Sequence, residues 1–468
     1  MRTFGEFEAD ANRLARLLLS QGCERGDRAA VYMKNRPELV TLYIAAAKAG
    51  LVFTPINVLY RAGEIEHILD DAAPKALFAD REAEPTVRPL AAARGVRLFC
   101  AEELEGLLQG CSPEPPAGEP AEGDVAALVY TSGTTGRPKG AMLTHGNFAA
   151  NALSLIGAWR ITPEDRLLLS LPLFHVHGLG NGLHTWLAMG YRLRLLERFR
   201  KEKIVDELLD FRPTVFFGVP TMYERLLATP PEAAREIGGF MRLFVSGSAP
   251  LPAETLRRFE ELFGHRILER YGMSETLMNA SNPYEGERRP GSVGPPLPNV
   301  SIRVRHPETG AEVQAGETGE VQIQGPNVFS GYWRRSEATA QAFTSDGYFR
   351  SGDLGSLNPD GYLTLAGRRT ELIISGGFNI YPREVEEFLT RMPEIAEAAV
   401  IGFPDPIKGE VPIAFVVADE GAELGGLKAR CRENLASFKV PARFVRVESL
   451  PRNALGKIQK HLLNPERS

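Results

Sequence analysis

The sequence predicts an α/β protein in two domains. The large N-terminal domain consists of helix-covered, mainly parallel sheets plus a small β-barrel. The C-terminal domain is a small α+β unit on a hinge. Three observations carry this. Over roughly the first 280 residues, helical periodicity alternates with short apolar runs, the pattern of repeated βα units. From about Gly291, short strands punctuated by Gly and Pro follow, which suits a small barrel or a distorted sheet. After Gly367 a compact mixed segment runs to the end, so the expected spans are 1–366 and 367–468.

Each element has its own warrant. Phe7, Ala11, Leu14, Leu17 and Leu18 mark one face of a first helix. A short strand is expected over 28–33, a helix over 38–49 and an extended run over 52–56. Ser112 to Asp124 is rich in Pro, Glu and Gly. It reads as an exposed connector rather than a domain boundary, because βα alternation continues beyond it. Val125 to Val129 is apolar throughout and reads as a buried strand. Later strands are expected over 167–171, 192–196, 214–219, 243–246 and 266–269. The third region offers strands at 301–305, 319–324 and 361–366. The C-terminal unit offers helices at 384–391 and 427–435, with strands at 398–403 and 413–417.

Bulk properties exclude several classes. The chain has 468 residues and a net charge of −5 without long single-sign runs, unlike the basic stripe of a nucleic-acid binder. No apolar stretch approaches the roughly 18 residues that span a bilayer, and no signal peptide is evident. Cys23, Cys100, Cys111 and Cys431 lack metal-ligand spacing and fit a reducing compartment. The expectation is a cytoplasmic enzyme, monomeric or dimeric.

Residues Tyr130 to Gly140 say the most about chemistry. The stretch holds three glycines, four hydroxyl residues (Thr131, Ser132, Thr134, Thr135) and two cations, Arg137 and Lys139. Glycines let backbone N–H groups converge, hydroxyls add donors, and cations match negative charge, so this is a polyphosphate cradle. The ordinary P-loop template fails: counting from Gly133, Pro138 stands where its second glycine is required, and Lys139 is followed by Gly140.

Further motifs follow in order. Arg270-Tyr271-Gly272-Met273-Ser274-Glu275 offers a carboxylate after a tight turn, suited to Mg2+ against phosphates; a solvated glutamate on a turn is the plain alternative. Ser246 to Pro250 ends a strand in a turn. Ser351-Gly352-Asp353 offers an aspartate to ribose hydroxyls. Gly367 to Gly377 joins the two regions. Pro451 to Lys457 places a lysine after Gly456 near the end of the chain, where a solvated surface lysine is otherwise the commoner case.

Taken together, these motifs resemble the adenylate-forming superfamily of acyl-CoA synthetases, luciferases and peptide-synthetase adenylation domains. The resemblance spans residues 130 to 457, and Gly319-Glu320-Val321, Gly325 and Gly331-Tyr332 extend it. Its known members usually carry some 20 to 30 residues ahead of the segment matching Thr3-Phe4, so an early strand is expected to be missing or shortened. The resemblance implies ATP, Mg2+ and coenzyme A as cofactors. Thr131, Ser132, Gly133, Thr134, Thr135, Gly136 and Lys139 would grip phosphates, with Thr135 and Glu275 at the metal. Ser248, Ala249, Arg270, Tyr271, Gly272, Ser274, Asp353 and Arg368 would line the nucleotide, with Tyr271 stacking on adenine. Lys457, His175 and Glu275 would be catalytic. Gly376, Gly377 and Phe378 would meet CoA after rotation about Thr370, which stands where the family usually has Asp or Lys.

For the acid, the resemblance points to His175, Met273 and Arg288. The stretch from Arg270 through Asn282-Pro283-Tyr284 to Arg288 closely resembles malonyl-CoA synthetases. A dianion's spare carboxylate must be desolvated, which costs several kcal/mol unless a cation compensates; Arg288, beside Arg289, is the expected partner, with a solvated arginine pair as the alternative. Malonate or methylmalonate is the first expectation. A ligase for medium-chain or aromatic acids, or a non-catalytic acyl-adenylate-binding regulator, remains the alternative.

Overall fold

The apolar runs of the first 280 residues pair into two six-stranded sheets. The structure, a computed structural model, describes residues 1–131, 138–375, 378–418, 426–453 and 456–466. In the first sheet the strand order is Arg97–Cys100, Ala76–Ala79, Arg28–Tyr32, Val52–Pro55, Val125–Thr131 and Lys139–Thr144. In the second it is Leu277–Ser281, Leu268–Met273, Leu243–Ser246, Val215–Gly218, Arg166–Leu169 and Arg192–Leu195. Pairing is parallel except for the last strand of the first sheet and Leu277–Ser281 in the second. Strands covered by helices on both faces lose all contact with water, so their sequences read as unbroken apolar runs. Val52–Pro55, Ala76–Ala79, Val215–Gly218 and Leu243–Ser246 are buried at every position.

Helices close over these sheets. The first, Phe4–Ser20, starts at a capping box: the Glu6 amide donates to Thr3 Oγ1 at 3.2 Å and the Thr3 amide to Glu6 Oε2 at 2.6 Å. Its buried face is Phe7, Ala11, Leu14 and Leu18, as the periodicity expects.

The third sheet is antiparallel, in the order Ser301–Arg305, Gly319–Gln324, Phe349–Leu357, Leu363–Arg368. A small barrel or a distorted sheet is the sequence expectation; the strands form the second, an open row whose two outer strands do not pair with each other among the described residues. Gly-punctuated antiparallel strands suit either arrangement, and only register decides closure. The last of these strands pairs Arg368 with Asp353. It therefore runs two residues past the expected boundary, and the turn Arg369–Glu371 is the first segment outside the sheet.

Beyond that turn lies a separate core of Ile373, Ile380, Val385, Leu389, Ala414 and Leu427. Its sheet pairs the long strands Ile395–Asp405 and Gly409–Ala418, flanked by Ile373–Ser375, Phe378–Ile380 and Arg443–Arg446. All four cysteines are free thiols. No helix among the described residues is long and apolar enough to cross a membrane.

The parallel strands of the second sheet place the turns after Ser246 and Met273 along one edge, where parallel sheets bind ligands. Gly294 locks the neighbouring connection. Its φ is +84°, and an added Cβ would lie 2.2 Å from the Ser281 carbonyl and the Asn282 amide. Gly294→Ala is therefore expected to cost about 2 kcal/mol or more, read as a lowered melting temperature, whereas Gly310→Ala, with open space around it, is expected to cost only the backbone strain of a positive φ.

Candidate active site

One buried carboxylate gathers three strands. The Tyr271 hydroxyl donates a short hydrogen bond to Asp353 Oδ2. Arg368 Nε lies 2.8 Å from Asp353 Oδ1, and Arg368 Nη1 donates to the Ser351 carbonyl at 3.1 Å. The Asp353 amide donates to Ser351 Oγ at 3.0 Å. Tyr271 belongs to one apolar cluster with Val293, Ile302 and Val321, which holds its hydroxyl on Asp353. Each Asp353 oxygen keeps a second lone pair for a ribose hydroxyl.

Glu275 lies beyond the turn that follows Met273. Its Oε1 accepts from the Tyr332 hydroxyl at 3.1 Å and stands 3.4 Å from Thr131 Oγ1. Burial raises its pKa. The Lys139 ammonium lies 5.3 Å from the Tyr332 ring centroid. A desolvated carboxylate beside a hydroxyl is an all-oxygen donor set, which fits Mg2+ and its preference for sharing ligands with phosphate. Ser132, Gly133, Thr134, Thr135 and Gly136 lie outside the described residues, as do Gly376 and Gly377. Gly272 is obligatory: an added Cβ would meet the Leu277 carbonyl oxygen at 2.0 Å. Met273 and Ser274 are partly buried at the same turn.

Arg270 faces away from this cluster, because side chains alternate along a strand. It is 2 % exposed, and its Nε and Nη2 have no hydrogen-bond partner among the described residues. The guanidinium lies against Gly247, where an added Cβ would sit 2.5 Å from the guanidinium carbon. Loss of water pushes its pKa down to about 9, so it stays charged at neutral pH.

Two histidines border this cation. His177 opens a π-helical turn, His177–Leu183, a geometry that favours functional sites. His177 Nδ1 lies 3.1 Å from Ser248 Oγ, while its Nε2 is buried without a partner among the described residues. Ser248 adopts a φ of +70°, and Ala249 follows on the same turn. His175 Nδ1 accepts from the His177 amide at 3.2 Å. Desolvation, then the Arg270 charge, hold His175 down to about 4 and His177 well below its ordinary value. Both rings are neutral, and Arg270 is left as the positive charge of this pocket.

Arg288 is not in this pocket. Its Nε donates to the Pro283 carbonyl at 3.1 Å, Nη2 to that of Tyr284 at 2.8 Å, and Nη1 to that of Arg266. Arg266 precedes the strand Leu268–Met273, so this brace lies at the opposite end of the strand from Glu275. Arg289 pairs with Glu287 and Asp360. The expected acid-binding arginine is thus a loop brace. With Tyr271 turned toward Asp353, Arg270, expected at the nucleotide, faces the other side of the strand.

Lys457 arrives from the C-terminal unit. Its amide donates to Asn453 Oδ1 at 3.0 Å, and the Asn453 amide to the Lys457 carbonyl at 2.9 Å. Partial desolvation, with the nearby Arg368 charge, lowers the Lys457 pKa, while Glu371 and Asp353 oppose that shift, and the residue keeps an exposed surface. Gly456 touches the large domain: its φ is +75°, and an added Cβ would lie 2.7 Å from Thr221 Oγ1. Thr370 sits in the middle of the turn Arg369–Glu371. Phe378 is exposed and stacks on Phe438 with ring centroids 4.6 Å apart.

The AMP-binding enzyme family matches residues 1–333, and the AMP-binding enzyme C-terminal domain matches residues 384–457. The chain belongs to the AMP-binding enzyme family. It is 37% identical over 463 residues to a feruloyl-CoA synthase of Amycolatopsis sp, covering 98% of this chain and 92% of that one. It is 36% identical to the mitochondrial malonate–CoA ligase of Mus musculus, with 94% and 82% covered. The ATP-bound structure of MatB from Rhodopseudomonas palustris superimposes with a TM-score of 0.94 at 43% identity, covering 98% of this chain and 92% of that one. The apo structure of the same protein gives 0.83 at 42% identity and equal coverage. The chain is an AMP-forming acid–CoA ligase that uses ATP, Mg2+ and CoA.

A second buried carboxylate borders the seam between the domains. Glu269 accepts from the Leu251 amide at 3.2 Å, and its Oε2 has no partner among the described residues. Desolvation raises its pKa to about 7, opposed by Arg383 and reinforced by Glu387. The folded state holds this proton more tightly than the unfolded one, so stability is full below pH about 4.5 and falls as pH rises through 7. Glu269→Gln is expected to be more stable than the parent at pH 8, by about 1–3 kcal/mol, and equal to it at pH 4.5. Paired thermal melts at the two pH values check this.

Proposed function

We propose that this ligase activates malonate or methylmalonate. The observation that supports this reading is the unpaired Arg270 guanidinium. A buried cation without a counter-ion costs several kcal/mol, and a structure keeps one where a ligand supplies the anion. A carboxylate returns that cost through two parallel charge-assisted hydrogen bonds. An aliphatic or aromatic acid offers only one carboxylate, which reacts, and would leave Arg270 bare. The neutral His175 and His177 are donors or acceptors beside it, not competing charges. Similarity to the mouse malonate–CoA ligase agrees with this reading.

The chemistry has two halves. A carboxylate oxygen of the acid attacks the α-phosphorus of ATP, the bond from that phosphorus to the bridging oxygen breaks, and pyrophosphate leaves. The CoA thiolate then attacks the acyl carbon of the adenylate, AMP departs with the ester oxygen, and the thiol proton goes to solvent. Lys457 stands between the reacting carboxylate and the α-phosphate in the first half, where its charge offsets crowding of negative oxygens. Asp353, braced by Tyr271 and Arg368, holds the ribose. Glu275 and the Thr131 hydroxyl would hold Mg2+, which when bound screens the phosphate charge. Thr221 and Tyr223 lie on one short helix, Pro220–Leu226. Gly456 packs on the first and Arg270 feels the second, so both cations stand beside that helix. Residues beyond the turn Arg369–Glu371 form the lid that rotates about Thr370 and exchanges Lys457 for Phe378 and its neighbours.

The test is pyrophosphate release from a panel of acids. Malonate or methylmalonate is expected to be turned over best; release with octanoate or ferulate but not with either diacid would overturn the substrate assignment. Arg270→Met is expected to lower kcat/KM for the diacid by roughly a hundredfold or more, because a site built for a polar group discriminates strongly, while any monocarboxylate activity is kept or raised. Arg288→Met is expected to change the melting temperature more than the ratio of diacid to monoacid turnover.

A further inference from the structure

We propose that Lys460 is a positioning residue for Lys457, tying the lysine loop to the hinge turn. This rests on the reading of Lys457 as the residue that serves adenylate formation. Lys460 lies one short step beyond the loop, on the turn Lys460–Leu462. Its ammonium is 3.0 Å from Glu371 Oε2 and 2.7 Å from Glu386 Oε1, with only 16% of the side chain exposed. Glu371 is the residue immediately after Thr370. Glu386, on the helix Pro382–Thr390, also accepts from the Val400 amide at 2.7 Å, so it is fixed to the central sheet of the lid. One buried ammonium thus joins the hinge turn, the lid helix and the segment that carries Lys457.

The other side of the hinge is moored separately. Arg369, immediately before Thr370, lies 3.6 Å from Glu320, a carboxylate 3% exposed that also pairs with Arg350 at 2.9 Å. Thr370 itself carries no charge. Its two neighbours are held by ion pairs to opposite bodies: Arg369 to the third sheet, Glu371 to the lid. Rotation is thereby confined to the torsions next to Thr370, and Glu371 and Lys460 pass it on to Lys457 without slack. Between Lys457 and Lys460 the chain has two residues, one of which, Ile458, pairs with Arg452. Arg452 in turn is 2.9 Å from Glu397 and donates to the Gly456 carbonyl at 2.6 Å. Through Glu371, Lys460 connects this loop to the hinge turn.

Only the half-reaction that uses Lys457 should depend on that connection. A lysine displaced by about an ångström loses on the order of a hundredfold in rate. The experiment compares two single-turnover measurements on the full-length enzyme: pyrophosphate release with the acid turned over best, and thioester formation from the supplied acyl-adenylate and CoA. Lys460→Met is expected to slow the first by tenfold or more and the second by less than twofold, with Lys460→Arg restoring the first. Should Lys460→Met fold poorly, the Glu371→Gln, Glu386→Gln double variant is expected to show the same split. Equal loss in both halves, or no loss in the first, overturns the proposal. Lys457→Ala run alongside separates the two claims. If it spares pyrophosphate release, the reading of Lys457 fails and the proposal with it. If it abolishes release while Lys460→Met does not, the positioning role alone fails.

Discussion

The Asp353 carboxylate holds the two halves of the site in register. Tyr271 reaches it from the second sheet and Arg368 from the last strand of the third, three residues before the pivot's far side. A buried carboxylate with two such donors is stable only while both remain, since removing either leaves an uncompensated polar group. That constraint fixes where the strand Leu363–Arg368 ends, and so where the hinge turn begins. It also sets the approach of the Lys457 loop, which comes down beside Arg368. The proposed nucleotide site and the approach of the C-terminal unit therefore share one acid.

Two neighbouring residues on one strand show how pairing separates scaffold from recognition. Tyr271 is satisfied by Asp353, and its role is visible in the protein alone. Arg270, turned to the other face, is equally buried yet unpartnered at Nε and Nη2 among the described residues. A satisfied buried polar group stabilises the fold, whereas an unsatisfied buried cation is costly, and on the proposed reading Arg270 is tolerated for what it binds. Arg288 makes the opposite point: with three carbonyls accepting from it, it has little left to offer a substrate.

Much of the large-scale organisation was legible in the chain. Buried parallel strands such as Leu243–Ser246 announce themselves as apolar runs, and the strands Ser301–Arg305 and Gly319–Gln324 fall where their flanking glycines and prolines bound them. Ala76–Ala79 and Arg97–Cys100 do not stand out in the sequence: the first is half alanine and the second opens on an arginine, so neither forms a distinct apolar run. The strand Lys139–Thr144 was hidden by its start inside the glycine-rich stretch. Open sheet against closed barrel depends on register, which no local pattern encodes. At the site, motifs single out Asp353, Glu275 and Lys457 as candidates, but a motif does not say which way neighbouring side chains point. Arg288, the acid partner expected from the sequence, donates instead to three carbonyls, since loop position does not say which carbonyls a guanidinium will meet, and the proposed partner Arg270 lies in the same stretch.

The central claim is that a second carboxylate, not merely a second polar end, is what Arg270 receives. Malonate and its monomethyl ester share chain length and reacting group and differ by one negative charge. Comparing kcat/KM for the two with the unmodified enzyme tests the claim most directly. The expected result is a preference for malonate of roughly a hundredfold or more; equal turnover of the two would contradict it.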